Sequence, residues 1–163
     1  GECTIYSDFI VEFAHIIHEK TNLNVFVDTN GNVKEKDIDK LIEHVDGFMF
    51  DLKAFKGDTH IKVTGIESNI VFNNINKCAK TEKLYEIRTV LIENINDDWD
   101  TFIDEVKYIK NLNEYTKFKL IPFRQYGVKG ELSNFRDYPK KKYMKYHEKA
   151  KEVLKDRMIN PII

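Results

Sequence analysis

The sequence predicts an α/β fold with about four parallel strands and flanking helices, forming an open, partial (β/α) barrel of the TIM type. Three observations carry this expectation. Four short apolar runs, Leu23–Val27, Gly47–Phe50, Tyr85–Ile92 and Phe118–Phe123, are rich in Val, Ile, Leu and Phe. Longer stretches with apolar residues at helical spacing lie between them. The two patterns alternate, as βα units on a parallel sheet do. Several positions in the runs are apolar on both sides of the strand, which predicts burial on both faces. Four such units do not close a barrel of eight, so the expectation is either an open, partial barrel or a piece of something longer.

The first element is a helix over about Asp8 to Lys20, with Phe9, Ile10, Phe13, Ile16 and Ile17 on one face and Ser7 as its N-cap. The strand Leu23–Val27 follows and ends in Asp28-Thr29-Asn30-Gly31, where Asn-Gly favours a left-handed turn. A second helix spans about Lys34 to His44 through Ile38, Leu41 and Ile42. Gly47–Phe50 leads into Asp51, Leu52 and Lys53. A third helix, about Asn69 to Lys80, carries Ile70, Val71, Ile75, Cys78 and Ala79, with Ser68 as cap. Tyr85–Ile92 is a strand with a charge inside it, Arg88. The clearest helix follows: Trp99, Phe102, Ile103, Val106, Ile109 and Leu112 form a stripe, with Asn96 or Asp97 at its start. After Phe118–Phe123, a last helix runs from about Lys140 to Lys155, with Tyr143, His147, Ala150 and Leu154 on one side. No low-complexity linker divides residues 1–163, which read as one domain.

Composition narrows the function classes. The chain has 163 residues, 33% charged and 42% hydrophobic, with a net charge of -1, so it has no global basic footprint for nucleic acid. The basic run Lys140-Lys141-Lys142 is interleaved further on with Glu148, Glu152 and Asp156 and reads as a solvated helix face. No apolar stretch approaches the ~20 residues of a spanning helix. Glu2, Asp8 and Glu12 interrupt any leader-like start. Cys3 and Cys78 form no CxxC pair, and a reducing cytoplasm is the simplest compartment. There is no GxGxxG or Walker loop. His15 and His18 lie three apart on the first helix with no third ligand nearby in sequence, so they read as flanking its apolar stripe.

The strand ends are where chemistry is expected, because parallel βα folds bind ligands at the C-terminal ends of their strands. Asp28 and Thr29 follow the first run, Asp51 and Lys53 the second, and Arg124 the fourth, while Arg88 lies within the third. Carboxylates with Lys and Arg on one rim suit an anionic or zwitterionic ligand. Each also has a structural reading: a turn at Asp28–Gly31, an ion pair between Asp51 and Lys53, which share a strand side, and a paired, partly buried charge at Arg88.

These residues resemble a known family. Gly1-Glu2-Cys3-Thr4 resembles the end of the Gly-Gly-Glu motif of radical S-adenosylmethionine enzymes. Asp28-Thr29-Asn30-Gly31 and Met49-Phe50-Asp51-Leu52-Lys53 resemble strand-end motifs of the glycyl-radical-enzyme activating enzymes, the pyruvate formate-lyase activase type. Thr64-Gly65-Ile66, Asn96-Asp97-Asp98 and Leu120-Ile121-Pro122-Phe123 fall in that family's order and approximate spacing.

The resemblance implies an enzyme in which a 4Fe–4S cluster donates an electron to S-adenosylmethionine. The resulting 5′-deoxyadenosyl radical takes hydrogen from a backbone glycine of a partner glycyl radical enzyme. An electron donor such as flavodoxin would supply the cluster. Gly1 and Glu2 would meet the methionine amino group, and Asp28, Thr29 and Lys53 would lie by the cofactor or its carboxylate, with Arg88 nearby inside the barrel. Asp28, Thr29, Met49 and Asp51 match positions that hold a monovalent cation. The family's CxxxCxxC cluster motif is expected upstream of Gly1, so this chain supplies no iron–sulfur ligands and alone is expected to be inactive. The family's aromatic–histidine pair reads Phe123-Arg124, and its Pro-Gly after the third strand reads Glu93-Asn94. Without a neighbour, the first strand would be an exposed edge through which the chain dimerises, or over which the first helix shifts. Two other readings stand beside this one: a βα-barrel enzyme using Lys53 with Asp28 and Asp51, and a non-catalytic βα module that binds a partner protein.

Overall fold

The computed structural model describes residues 1–160. The predicted α/β architecture is present: a four-stranded, fully parallel sheet whose spatial order is the chain order. The strands are β1 (Phe26–Thr29), β2 (Gly47–Asp51), β3 (Leu84–Leu91) and β4 (Lys117–Pro122). The helices are α1 (Ser7–Lys20), α2 (Glu35–His44), α3 (Gly57–Thr64), α4 (Asn69–Lys80), α5 (Trp99–Leu112) and α6 (Lys140–Leu154).

The expectation of strands buried on both faces is not met. Val27, Phe48, Phe50, Ile87, Phe118 and Leu120 are buried in one core, whereas Phe26, Asp28, Met49, Asp51, Arg88 and Lys119 on the opposite face are not. The reason is topological. Successive crossovers of one hand between neighbouring strands put the helices α2, α4 and α5 on the same side. One face is sealed and the other is left open.

The elements start and stop for local reasons. β1 begins at Phe26 rather than Leu23, because pairing with β2 starts at Phe26 opposite Gly47. The Phe26 ring packs directly on the Gly47 backbone, where a Cβ would come within 2.6 Å of it. Ser7 is the first residue of α1 rather than its cap. A 3-10 turn, Cys3–Tyr6, precedes it, and Ser7 Oγ donates to Asp37 at 3.0 Å. Ser68 occupies the N-cap position of α4 but makes no side-chain cap bond. The cap of α5 is Asp98, not Asn96 or Asp97; it accepts from Thr101 N and Oγ1 at 2.9 and 2.7 Å. The sequence reading lacks α3, whose apolar residues make no clear stripe; its end is marked by Gly65 at φ +78°.

The predicted α1 stripe divides. Ile10 and Ala14 are buried, while Phe9, Phe13 and Ile16 stay exposed with Ile5 and Tyr6. Phe9 and Phe13 stack at 6.4 Å. β1 is an edge strand, as expected, and α1 does not close over it. Near the other edge, Met158 bridges to Phe118 and Ile159 N donates to Phe118 O at 2.9 Å. His18 pairs with Asp46 at 2.8 Å, while His15 packs its ring on His44. Within the basic run, Lys142 reaches Glu93 and Asp97, and Lys145 lies over Trp99. No helix among the described residues is long and apolar enough to cross a membrane.

Candidate active site

Parallel register carries side chains of paired residues to the same face. Asp28 is level with Met49, Asp51 with Arg88, and Arg88 with Lys119, so the open face gathers charge from all four strands. Arg88 is its centre. Nη1 donates to Asp28 at 2.6 Å, Nε pairs with Glu86, and Nη2 lies 3.0 Å from Met49 Sδ. Burial works against the charged guanidinium, but the Glu86 and Asp28 carboxylates outweigh it and its pKa is raised. Lys53 Nζ donates to Asp51 at 2.8 Å, as period-two spacing predicts.

Glu2 sits at the C-terminal end of β1 and is held by four hydrogen bonds. Oε1 accepts from Thr4 N at 3.2 Å, Thr4 Oγ1 at 2.6 Å and Thr29 Oγ1 at 2.9 Å. Oε2 accepts from Asn30 N at 2.8 Å. Burial tends to raise the Glu2 carboxyl; the bonds from Asn30, Thr4 and Thr29 overcome this and hold it below its ordinary value. A carboxylate has about four lone-pair directions, two per oxygen, so Oε2 keeps room for one more donor. The turn beneath is built for this. Thr29 Oγ1 accepts from Gly31 N at 3.0 Å, and Asn30 Oδ1 accepts from Asn32 N at 2.9 Å. Gly31 has φ +80°, and a Cβ there would meet Val71 at 2.8 Å and Phe50 at 2.9 Å. The turn reading and the site reading of Asp28–Gly31 therefore describe one structure.

Gly1, Glu2, Asp28, Thr29 and Lys53 line a common cleft of about 500 Å³ with Cys3, Asn30 and Asp51. Arg88 is joined to it through Asp28. Lys53 also borders a second cavity of about 440 Å³, walled by Val63, Val90, Ile92, Phe123 and Leu132. Sequence reasoning missed Asn30, whose backbone does the binding, and Glu86, which sits two residues before Arg88 on the same strand.

The four residues matched to a monovalent-cation position have side chains engaged with their neighbours. Asp28 faces Arg88, Asp51 faces Lys53, Met49 turns its sulfur to Arg88, and Thr29 is bonded to Glu2. Both carboxylates are compensated here by side-chain cations. Among the described residues, no group of three or more His, Cys, Asp or Glu is placed to hold a metal. The Cys78 thiol is buried and pushed up to about 12. Burial and the Glu2 charge also raise Cys3, whose Sγ lies 3.3 Å from Asp28 O.

Comparison with known proteins adds a second line. No family model matches the chain. The choline trimethylamine-lyase activating enzyme of Oleidesulfovibrio alaskensis is 27% identical over 109 residues, 65% of this chain and 35% of that protein. The pyruvate formate-lyase-activating enzyme of Staphylococcus aureus is 30% identical over 94 residues, 58% of this chain and 38% of that protein. These alignments thus span little more than a third of each relative's length. The crystal structure of a domain of pyruvate-formate lyase-activating enzyme from Bacteroides vulgatus superposes with a TM-score of 0.76. It shares 16% identity and covers 98% of this chain and 95% of that one, a likeness of fold. In sequence this chain is similar to activating enzymes of the pyruvate formate-lyase and choline trimethylamine-lyase kind, and in fold to a domain of the former.

Proposed function

We propose that this chain is part of a radical S-adenosylmethionine enzyme that activates a glycyl radical enzyme, and that its strand-end cleft holds the methionine end of the cofactor. One observation carries the reading: the Glu2 carboxylate, fixed by four hydrogen bonds, shares a cleft with the Lys53 ammonium. That donor set fits an amino acid zwitterion. Glu2 Oε2 accepts from the ammonium, and Lys53 faces the carboxylate, drawn from Asp51. Arg88 keeps Asp28 in place beside Thr29 and Gly1. When bound, S-adenosylmethionine with a 4Fe–4S cluster supplies the one-electron chemistry that takes hydrogen from a backbone glycine of the partner. The chain's own part is to bind and orient. The cluster ligands lie outside the residues described. A flavodoxin-type electron donor and a cytoplasmic location belong to the same reading, and the loop Val128–Pro139 is the candidate for choosing the partner.

Titration of S-adenosylmethionine into the chain, followed by amide chemical shifts, tests the cleft. Movement is expected at Glu2, Thr29, Asn30 and Lys53, and Glu2→Gln should abolish it. No movement at millimolar ligand sinks the reading. The second reading, an imine-forming Lys53, rests on its Nζ standing in the cleft beside Asp51. Borohydride trapping of a carbonyl compound on Lys53 supports it, and failure across aldehydes and ketones removes it.

The β1 edge and the exposed Phe9, Phe13 and Ile16 of α1 bear on assembly. Through that edge the isolated chain pairs with a second copy. A monomer by sedimentation, with Phe26–Thr29 amides protected from exchange, would contradict this.

A further inference from the structure

Asn96 sits where the β2–β3 ladder ends. The last regular bond runs from Leu52 N to Arg88 O at 2.8 Å. Two residues further on, parallel pairing would bring Ala54 N to Val90 O. Instead the Asn96 side chain takes that place: Nδ2 donates to Val90 O at 2.8 Å and to Lys53 O at 3.2 Å. Its Oδ1 accepts from Ile92 N at 2.8 Å. One amide thus satisfies three backbone groups at the point where the two strands part.

The neighbouring residues fix this wedge from outside. Asp97 Oδ1 accepts from Asn94 N at 2.8 Å, while its Oδ2 meets Tyr138 OH at 3.0 Å and Lys142 Nζ at 2.6 Å. Asp98 caps α5. Three successive residues therefore tie the β3–α5 connection to β2, to α6 and to α5.

We infer that Asn96 is the positioning residue for Lys53. By holding the Lys53 carbonyl, it fixes where β2 leaves the sheet and so keeps the Lys53 ammonium between the polar cleft and the apolar cavity beside it. This rests on the functional reading only in so far as Lys53 meets a ligand; the anchoring itself does not.

Asn96→Asp is the discriminating variant, because it keeps the acceptor for Ile92 N and removes both donors. In a folded Asn96→Asp chain, the acylation rate of Lys53, read by mass spectrometry against Lys36, should rise several-fold, and S-adenosylmethionine affinity should fall roughly tenfold, a loss the size of one lost charge-assisted bond. Asp97→Asn, which loosens the clamp but keeps Asn96, should move both far less. An unchanged Lys53 rate overturns the inference. A raised rate, with no binding by either wild type or variant, upholds it and removes the functional reading instead. Should Asn96→Asp not fold, the wild-type side-chain amide decides: slow exchange with a coupling across the hydrogen bond to the Lys53 carbonyl supports the anchor, and a freely exchanging amide refutes it.

Discussion

The two faces of the sheet use the same strands differently. On the helix side, Val27, Phe48, Phe50, Ile87, Phe118 and Leu120 are packed away from water, and the buried Glu105, bonded to Thr89, is an ionisable intruder. On the open side, carboxylates alternate with Arg88, Lys53 and Lys119, and the apolar residues are few. Stability is concentrated on the first face and ligand chemistry on the second. Substitutions on the two should therefore have opposite signatures.

The largest effect is expected from Phe50→Ala on the covered face. Removing a fully buried ring should cost about 3–5 kcal/mol in chemical denaturation. A loss below ~1 kcal/mol would mean that the core does not rest on this face.

Next comes Glu105. Burial raises its carboxyl from 4.5 to about 7, against the smaller pull of Thr89. The unfolded chain ionises this group at lower pH than the folded one does. Its contribution to stability is therefore complete below about pH 4.5 and declines as pH rises to about 7, by roughly 3 kcal/mol in all. Glu105→Gln should flatten that part of the stability profile. A profile that keeps its slope would show that Glu105 already meets a charge partner in solution.

Arg88 tests the boundary between the faces, being on the open side yet partly buried. Arg88→Met leaves Glu86 and Asp28 uncompensated and should cost about 1–2 kcal/mol, with Glu86→Gln recovering part of it in the double variant. Full additivity would dissolve the network into unrelated contacts.

The smallest stability effect is expected at Lys53. Lys53→Met should stay within about 0.5 kcal/mol of wild type while weakening S-adenosylmethionine binding roughly tenfold by calorimetry. A stability loss on the Phe50→Ala scale, with binding intact, would reassign Lys53 to the scaffold.

Much of the scaffold was readable because the covered face imposes a strong pattern. Phe102, Val106 and Ile109 had to be α5's inner stripe, and the run through Phe48 and Phe50 had to be a strand. Less readable was which side of each strand would be open, since Phe26 and Met49 look as apolar as Val27. That depends on crossover geometry rather than local composition. Asp51 and Lys53 were paired by spacing alone. Glu2 was placed at the site by resemblance, but its four bonds come from a turn whose backbone N–H donors leave no mark in side-chain chemistry. Asn96 was visible only as part of a motif, because its partners are carbonyls distant in the chain.

Spatial order along the sheet equals order along the chain. Each strand docks on the one made just before it, and none is threaded between two already joined. Such sequential pairing joins neighbouring segments only, yet each parallel ladder must still close a whole crossover before its first bond forms. During synthesis the β1–β2 pair can form while α6 is still inside the ribosome. The same arithmetic lets a βα unit be added at the β1 edge without disturbing Glu105, Phe50 or the anchored turn at Gly31, so the molecule behaves as a stack that lengthens from its end.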